Sequence, residues 1–242
     1  MTLVGGTAPN INTSPVQLES RFQFAVSVDC VIFGYENNML KVLLINCDLP
    51  EFKDRWSLLG DLVLPDEDLD KASYRILRER TGLENVFLEQ VHTFGDVKRH
   101  PAGRVITTAY YSLLNIRDHQ LKLLNNDLHW HPLKDIATMA FDHKKILDAC
   151  YATLQKKIQE EPIIFNLLAN KFSLRELQLL YETILNVELD RRNFRKKLFT
   201  TNLLTDLDEM EANVPHRPGK LYSFNHAHYA EMKKKHFVGI DF

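Results

Sequence analysis

The stretch GDLVLPDEDLDKASYRILRERTGL, residues 60–83, decides how this chain folds. From residue 67 to 80 the apolar positions Leu69, Ala72, Ile76 and Leu77 recur at helical spacing, which predicts one amphipathic helix. Gly82 follows where a left-handed C-terminal cap belongs. Immediately before it, Trp56 to Leu59 reads as a short strand running into Gly60. The rest of the chain is read outward from this short strand, the glycine it leads into and the helix that follows.

Upstream, Phe22 to Phe33 and Met39 to Ile45 are rich in Val, Ile, Leu and Phe and flank a Glu36-Asn37-Asn38 turn. Downstream, strand patterns recur at Val86 to Phe94, Val105 to Leu114 and Leu128 to Trp130. A helix from about Asp142 to Gln159 follows, and Pro162 interrupts it. A strand-rich meander around one helix, closed by a second, predicts an α+β chain with an α/β/α sandwich. Residues 1–20 carry neither a basic nor an apolar leader region and are expected to be an N-terminal arm, with the sandwich over 21–160.

Beyond Pro162 the pattern changes. Ser173 and Glu176 make a capping box for a helix to about Leu185, whose stripe is Leu174, Leu177, Leu180, Tyr181 and Ile184. After a short connection, Asp190 is a second cap for a helix from Arg191 to about Leu203. Then come a basic turn, Val214-Pro-His-Arg-Pro-Gly-Lys220, and a strand, Leu221 to Phe224. Helix, turn, basic helix and basic hairpin is the layout of a winged helix-turn-helix, expected over 161–242.

Composition bounds the function. With 45% apolar and 26% charged residues the chain is ordinary globular material. No run of 18 apolar residues marks a membrane span. Cys30, Cys47 and Cys150 lack metal-ligand spacing and read as reduced thiols of a cytoplasmic protein, so no structural zinc is expected. The net charge of −2 hides an asymmetry: residues 1–154 carry 16 basic against 20 acidic side chains, and residues 155–242 carry 14 against 12. Positive charge is bunched in the second part, as a polyanion partner requires.

Residues 60–83 resemble the Nudix signature, G-x5-E-x7-R-E-U-x-E-E-x-G-U with U apolar. Gly60, Glu67, Arg75, Leu77, Glu79, Gly82 and Leu83 match, with one extra residue before Glu67. The flanks agree at Trp56-Ser-Leu-Leu-Gly60, Gly103-Arg-Val-Ile and Ala109-Tyr-Tyr111, so the likeness spans roughly residues 22–155. In that family three helix glutamates gather magnesium around a diphosphate; here their positions hold Ile76, Glu79 and Arg80. An apolar side chain and a cation beside one glutamate make a poor metal site, so no catalytic residue, metal or cofactor is expected. Rebuilding of a metal site from Glu67, Asp66 or Asp61 is the alternative.

The resemblance implies a surviving pocket that binds an effector without cleaving it. Its expected polar lining is Asp29, Trp56, Asp61, Lys98, Arg99 and Arg104. The competing reading makes Trp56 plain core and Lys98, Arg99 and His100 a solvated loop.

Arg191-Arg-Asn-Phe-Arg-Lys-Lys197 holds five cations in seven residues. With Phe194 and Leu198 anchoring the helix, Arg191, Arg192, Asn193, Arg195, Lys196 and Lys197 are the expected DNA contacts, joined by His216, Arg217 and Lys220 on the wing. Val28-Asp-Cys-Val-Ile-Phe-Gly34, Phe165-Asn-Leu-Leu168 and Arg192-Asn-Phe-Arg-Lys196 look like a branch of Nudix-related regulators that includes repressors of NAD biosynthesis and of arabinose use. Pentose-responsive members are the nearest in this reading, which implies a sugar effector; an ADP-ribose-like compound is the other candidate. The resemblance further implies a homodimer on a palindromic operator. Two other classes stand beside this regulator: an active Nudix hydrolase whose C-terminal domain serves dimerisation, and a ligand-binding module with no DNA role.

Overall fold

The fold is that of a computed structural model, which describes residues 19–20, 23–84, 86–117, 128–215 and 217–234. The expected arm, His216 and the last eight residues therefore fall wholly or largely outside the described residues.

The first half is built on β1 (Ala25–Glu36), which pairs in parallel with β6 (Val105–Asn115) over its first eleven residues, Ala25 opposite Val105 to Tyr35 opposite Asn115. The remaining strands are β2 (Met39–Asn46), β3 (Trp56–Ser57), β4 (Leu59–Leu62), β5 (Glu89–Phe94) and β7 (Leu128–Pro132). Their order is β3-β2-β1-β6-β5, with β4 added to β1 and β7 added to β2. Every pairing except β1–β6 is antiparallel.

β1 is buried on both faces, which explains its near-continuous apolar sequence. Val28, Cys30 and Ile32 face α1 (Leu69–Thr81), meeting Ala72, Ile76 and Leu77. Val31 and Phe33 face α2 (His143–Glu160), meeting Ile146, Leu147 and Leu154. Two helices across one sheet make the α/β/α sandwich. Asp68 caps α1 by accepting the Lys71 N–H, and Gly82 ends it at φ 69°.

The second half begins with a 3-10 turn at Pro162–Leu167. Then follow β8 (Phe172–Ser173), α3 (Leu174–Leu185), α4 (Arg191–Thr200), β9 (Leu204–Met210), β10 (Lys220–Phe224) and α5 (His226–Lys234). The sheet order is β8-β10-β9. Ser173 and Glu176 form the reciprocal capping box, and Asp190 accepts the Asn193 N–H. The sequence reading carries α4 to Leu203, but Thr201 ends the helix and Asn202 takes φ 53°. β9 and α5 are additions to that reading.

One apolar cluster runs without a break from the α2 side of the sandwich into the winged helix. It joins Phe33, Leu154 and Ile158 to Phe165, Leu177, Tyr181, Ile184, Phe194 and Leu198. Leu177 sits inside it with no exposed surface. Leu177→Ala is expected to lower unfolding free energy by about 2–5 kcal/mol, measured by urea denaturation.

Candidate functional site

A cavity of about 440 Å³ opens where β1, β3, β4, the loop after β5 and the start of α2 converge. Asp29 lies at its floor, projecting from β1 beneath β4. Gly60 is what allows this: a Cβ there would stand 2.2 Å from Asp29 Oδ1 and 2.9 Å from the Val28 carbonyl oxygen. Thr107 on β6 donates to Asp29 Oδ2 at 2.7 Å.

Arg99 is 7% exposed and holds two carboxylates. Its Nε and Nη2 donate to Asp142 at 3.1 and 2.8 Å, and Nη2 stands 3.6 Å from Asp29. The fixed fork of guanidinium suits such a buried double pairing. Next to it, His143 Nδ1 accepts the Leu58 N–H at 3.0 Å, with Ser57 Oγ also at 3.0 Å. A neutral imidazole that accepts at Nδ1 carries its proton on Nε2, here 3.5 Å from Asp29 Oδ1. Burial pushes the His143 pKa down, against the opposing pull of Asp29 and Asp142.

Ser57, His143 and Asp29 have the composition of a nucleophile, base and acid. The Leu58 N–H, however, occupies the very lone pair that would take the serine proton, and Thr107 and Arg99 engage Asp29. The cluster is a clamp on the cavity wall.

An aromatic group adjoins this cluster, with the Phe141 ring 4.9 Å from that of His143. His100 stacks on Phe141 with centroids 5.0 Å apart and planes 11° apart, and Phe52 lies 4.4 Å from Phe141. Phe141 has φ 50°, a left-handed conformation that a bulky side chain adopts only under constraint.

Of the residues singled out in the sequence, Asp29, Asp61, Arg99 and Arg104 line this cavity, while Trp56 and Lys98 lie outside the lining. Trp56 packs on the ring of His131 at 4.1 Å, against the α2-side core. Arg99, which the competing reading leaves in a solvated loop, is buried. Arg104 donates to the carbonyls of Gly95 and Asp96 at 2.7 and 3.1 Å, which fixes the loop rim. Ser57, Phe141 and His143 also line the cavity and carry no sequence motif of their own, Thr107 and Asp142 support Asp29 and Arg99, and Arg80 joins the lining from the Nudix-like stretch.

The α1 positions that hold metal ligands in Nudix enzymes do not fit a magnesium cage here. Ile76 is 1% exposed, turned into the core. Glu79 accepts from Arg75 Nη1 at 3.2 Å, and Arg80 reaches Asp61 at 3.4 Å. Glu67, one of the carboxylates that could rebuild a site, takes a forked bond from Arg75 at 2.9 and 2.7 Å, which draws its pKa down to about 2. That pairing ties α1 to the loop before it.

In the second half, α4 buries Phe194 and Leu198 and leaves Arg191, Arg192, Asn193 and Lys196 exposed, with Arg195 and Lys197 half-buried. Arg191, Arg195 and Arg217 share a groove with Arg175 on the first turn of α3, which the sequence reading missed. Lys220 is also there, but its ammonium is held by Asp206 at 2.8 Å and Asp208 at 3.4 Å across the hairpin. His216 lies outside the described residues.

The fold and the two sites define a Nudix-type ligand-binding domain joined to a DNA-binding winged helix. The NUDIX domain family matches residues 23–150 and the NrtR DNA-binding winged helix domain family matches residues 164–224. The chain belongs to the NrtR family. It is 31% identical over 204 residues, 82% of this chain and 81% of the relative, to the ADPR responsive transcriptional repressor NtrR of Acinetobacter baylyi. Shewanella oneidensis NrtR complexed with a 27mer DNA superposes with a TM-score of 0.74 at 28% identity, covering 85% of this chain and 95% of that one. The NUDIX domain of the same protein complexed with ADP ribose gives a TM-score of 0.52 at 28% identity, over 59% of this chain and 94% of that one. No helix among the described residues is long and apolar enough to cross a membrane.

The buried imidazole sets a pH dependence. In the unfolded chain His143 takes its proton near the ordinary value of 6.5, but in the fold only at lower pH. Its contribution to stability is complete above about 6.5 and is lost as pH falls below that value. Urea unfolding at a series of pH values should show a shallower acid-side decline for His143→Asn than for the native chain; parallel curves would exclude this role.

Proposed function

We propose that the chain is an ADP-ribose-responsive transcriptional repressor whose Nudix domain binds its effector without hydrolysing it. The observation that carries the reading is Arg80: a cation at the cavity mouth stands where the family's hydrolases place a metal-binding carboxylate. A guanidinium there can donate directly to a diphosphate, whereas a carboxylate would need magnesium as a bridge. His100 and Phe141, stacked in the lining of the same cavity, offer a flat wall suited to a nucleobase. Two relatives support this ligand class, being described as ADPR responsive and as complexed with ADP ribose. A bare pentose, the sugar effector implied by the sequence resemblance, would leave both the cation and the aromatic wall unused.

On the DNA side, Arg191, Arg192, Asn193, Arg195, Lys196 and Lys197 lie on the helix that enters the major groove in winged helix-turn-helix proteins. Arg forks onto guanine and Asn onto adenine, while Lys neutralises phosphate. Arg175 and Arg217 flank that helix at the groove and would meet the backbone. Lys220, already held by two aspartates, contributes less. A homodimer would present two such helices to a palindromic operator in the cytoplasm.

Arg192→Ala combined with Arg195→Ala should abolish the gel shift of operator DNA while ADP-ribose binding persists; an unchanged shift would remove the DNA assignment. Calorimetry with Arg80→Ala should show ADP-ribose affinity weakened by about tenfold or more, the scale of a lost charge-assisted bond. Release of AMP from ADP-ribose with magnesium, at rates usual for enzymes, would favour the hydrolase reading instead.

A further inference from the structure

α2 touches both functional regions. Its first turn forms part of the cavity: Phe141 precedes it in the left-handed conformation, and Asp142 occupies its N-cap position. The Asp142 side chain makes no capping bond to the helix. Arg99 takes that carboxylate instead, with contacts of 3.1 and 2.8 Å. The helix is therefore fastened to the cavity wall through a buried arginine.

The other half of α2 is fastened to the winged helix. Tyr151 Oη donates to the Ile184 carbonyl at 2.6 Å, and Gln155 Nε2 donates to the same oxygen at 2.9 Å. Ile184 belongs to the last turn of α3, whose carbonyls have no partner within their own helix. In return, Tyr181 Oη on α3 donates to the Ile158 carbonyl on α2 at 3.4 Å. Leu154 and Ile158 pack in one cluster with Leu177, Tyr181 and Ile184.

From α3 to α4 the path stays short and bonded. Gln178 Nε2 donates to the Leu189 carbonyl at 2.9 Å, and Glu182 accepts the Leu189 N–H at 3.0 Å. Asp190 then caps α4. The turn between the helices is thus pinned at its end, so a displacement of α3 is carried to the helix that bears Arg191, Arg192 and Arg195.

We infer that α2 is the element through which effector occupancy reaches the DNA-binding helix, and that Tyr151 and Gln155 are its positioning residues. The inference rests on the effector reading above, because it needs a ligand in the cavity. A ligand seated in the cavity bears on Phe141 and His143, and so directly on the first turn of α2. An 18-residue helix, about 27 Å long at its regular rise, transmits such a shift as a rigid rod. The two hydrogen bonds donated to the Ile184 carbonyl pass the shift to α3. Neither Tyr151 nor Gln155 lies on the cavity or on the exposed face of α4.

The test measures coupling apart from affinity. The full chain is titrated with a duplex that it has itself selected from a random-sequence pool, with and without saturating ADP-ribose, and the ratio of the two dissociation constants is taken. The same ratio is measured for Tyr151→Phe combined with Gln155→Leu, and for Lys156→Ala, an exposed position on the same helix. Allosteric coupling commonly spans about 5- to 150-fold. The double variant is expected to cut the native ratio to about one third or less, while ADP-ribose still binds and Lys156→Ala keeps the native ratio. An unchanged ratio in the double variant overturns the role of α2. A native chain with no ratio to lose overturns the effector reading itself, which separates the two failures.

Hydrogen exchange on the native chain gives a readout that needs no variant. ADP-ribose should change amide protection in the second half of α2 and in α3 as well as around the cavity. A change confined to the cavity residues would overturn the inference.

Discussion

The arrangement depends on one buried guanidinium. Arg99 arrives on the loop after β5 and is held between Asp142, at the start of α2, and Asp29, on the central strand. Removing any of the three would leave charge buried without its partner, which commonly costs about 3–5 kcal/mol. Through this pairing the central strand, the rim loop and α2 are set in register with one another. The cavity takes its shape from that register, and so does the place where α2 meets the winged helix.

The residues shared with the Nudix signature have structural roles here. Gly60, Glu67, Arg75 and Gly82 keep structural work to do: the glycines allow the close passage over Asp29 and the left-handed end of α1, and the ion pair secures the preceding loop. The positions that would gather metal have gone to other purposes. Ile76 strengthens the core, and Arg80 brings positive charge to the cavity mouth. The matching positions of the motif thus have folding reasons of their own, apart from any metal chemistry.

Most of the architecture was legible in the sequence because local signals agree with it. The stripe of Leu69, Ala72, Ile76 and Leu77, the Gly82 cap, and the Ser173–Glu176 box each have a short-range cause and are found where expected. β9 was not legible: Leu204-Thr-Asp-Leu-Asp-Glu-Met210 is mostly exposed and acidic, and it becomes a strand by pairing with β10. The site was half legible. Asp29, Asp61, Arg99 and Arg104 followed from the family's topology, whereas Phe141 and His143 reach the cavity from a distant helix start with no local mark. Trp56 lies outside the cavity lining, as an aromatic near a pocket and an aromatic in the core look alike in sequence; its partner, His131, comes from β7. Lys220 looked available for DNA because its partners, Asp206 and Asp208, lie on the strand that the sequence had not disclosed.

Fluorescence anisotropy of an operator duplex bound to the full chain, titrated with ADP-ribose in magnesium buffer and followed by chromatography of the nucleotide, tests most directly whether this cavity senses its ligand without cleaving it. The expected result is a saturable change in DNA binding with the ADP-ribose recovered intact. Conversion of the ADP-ribose to AMP, with DNA binding unaltered throughout the titration, would contradict it.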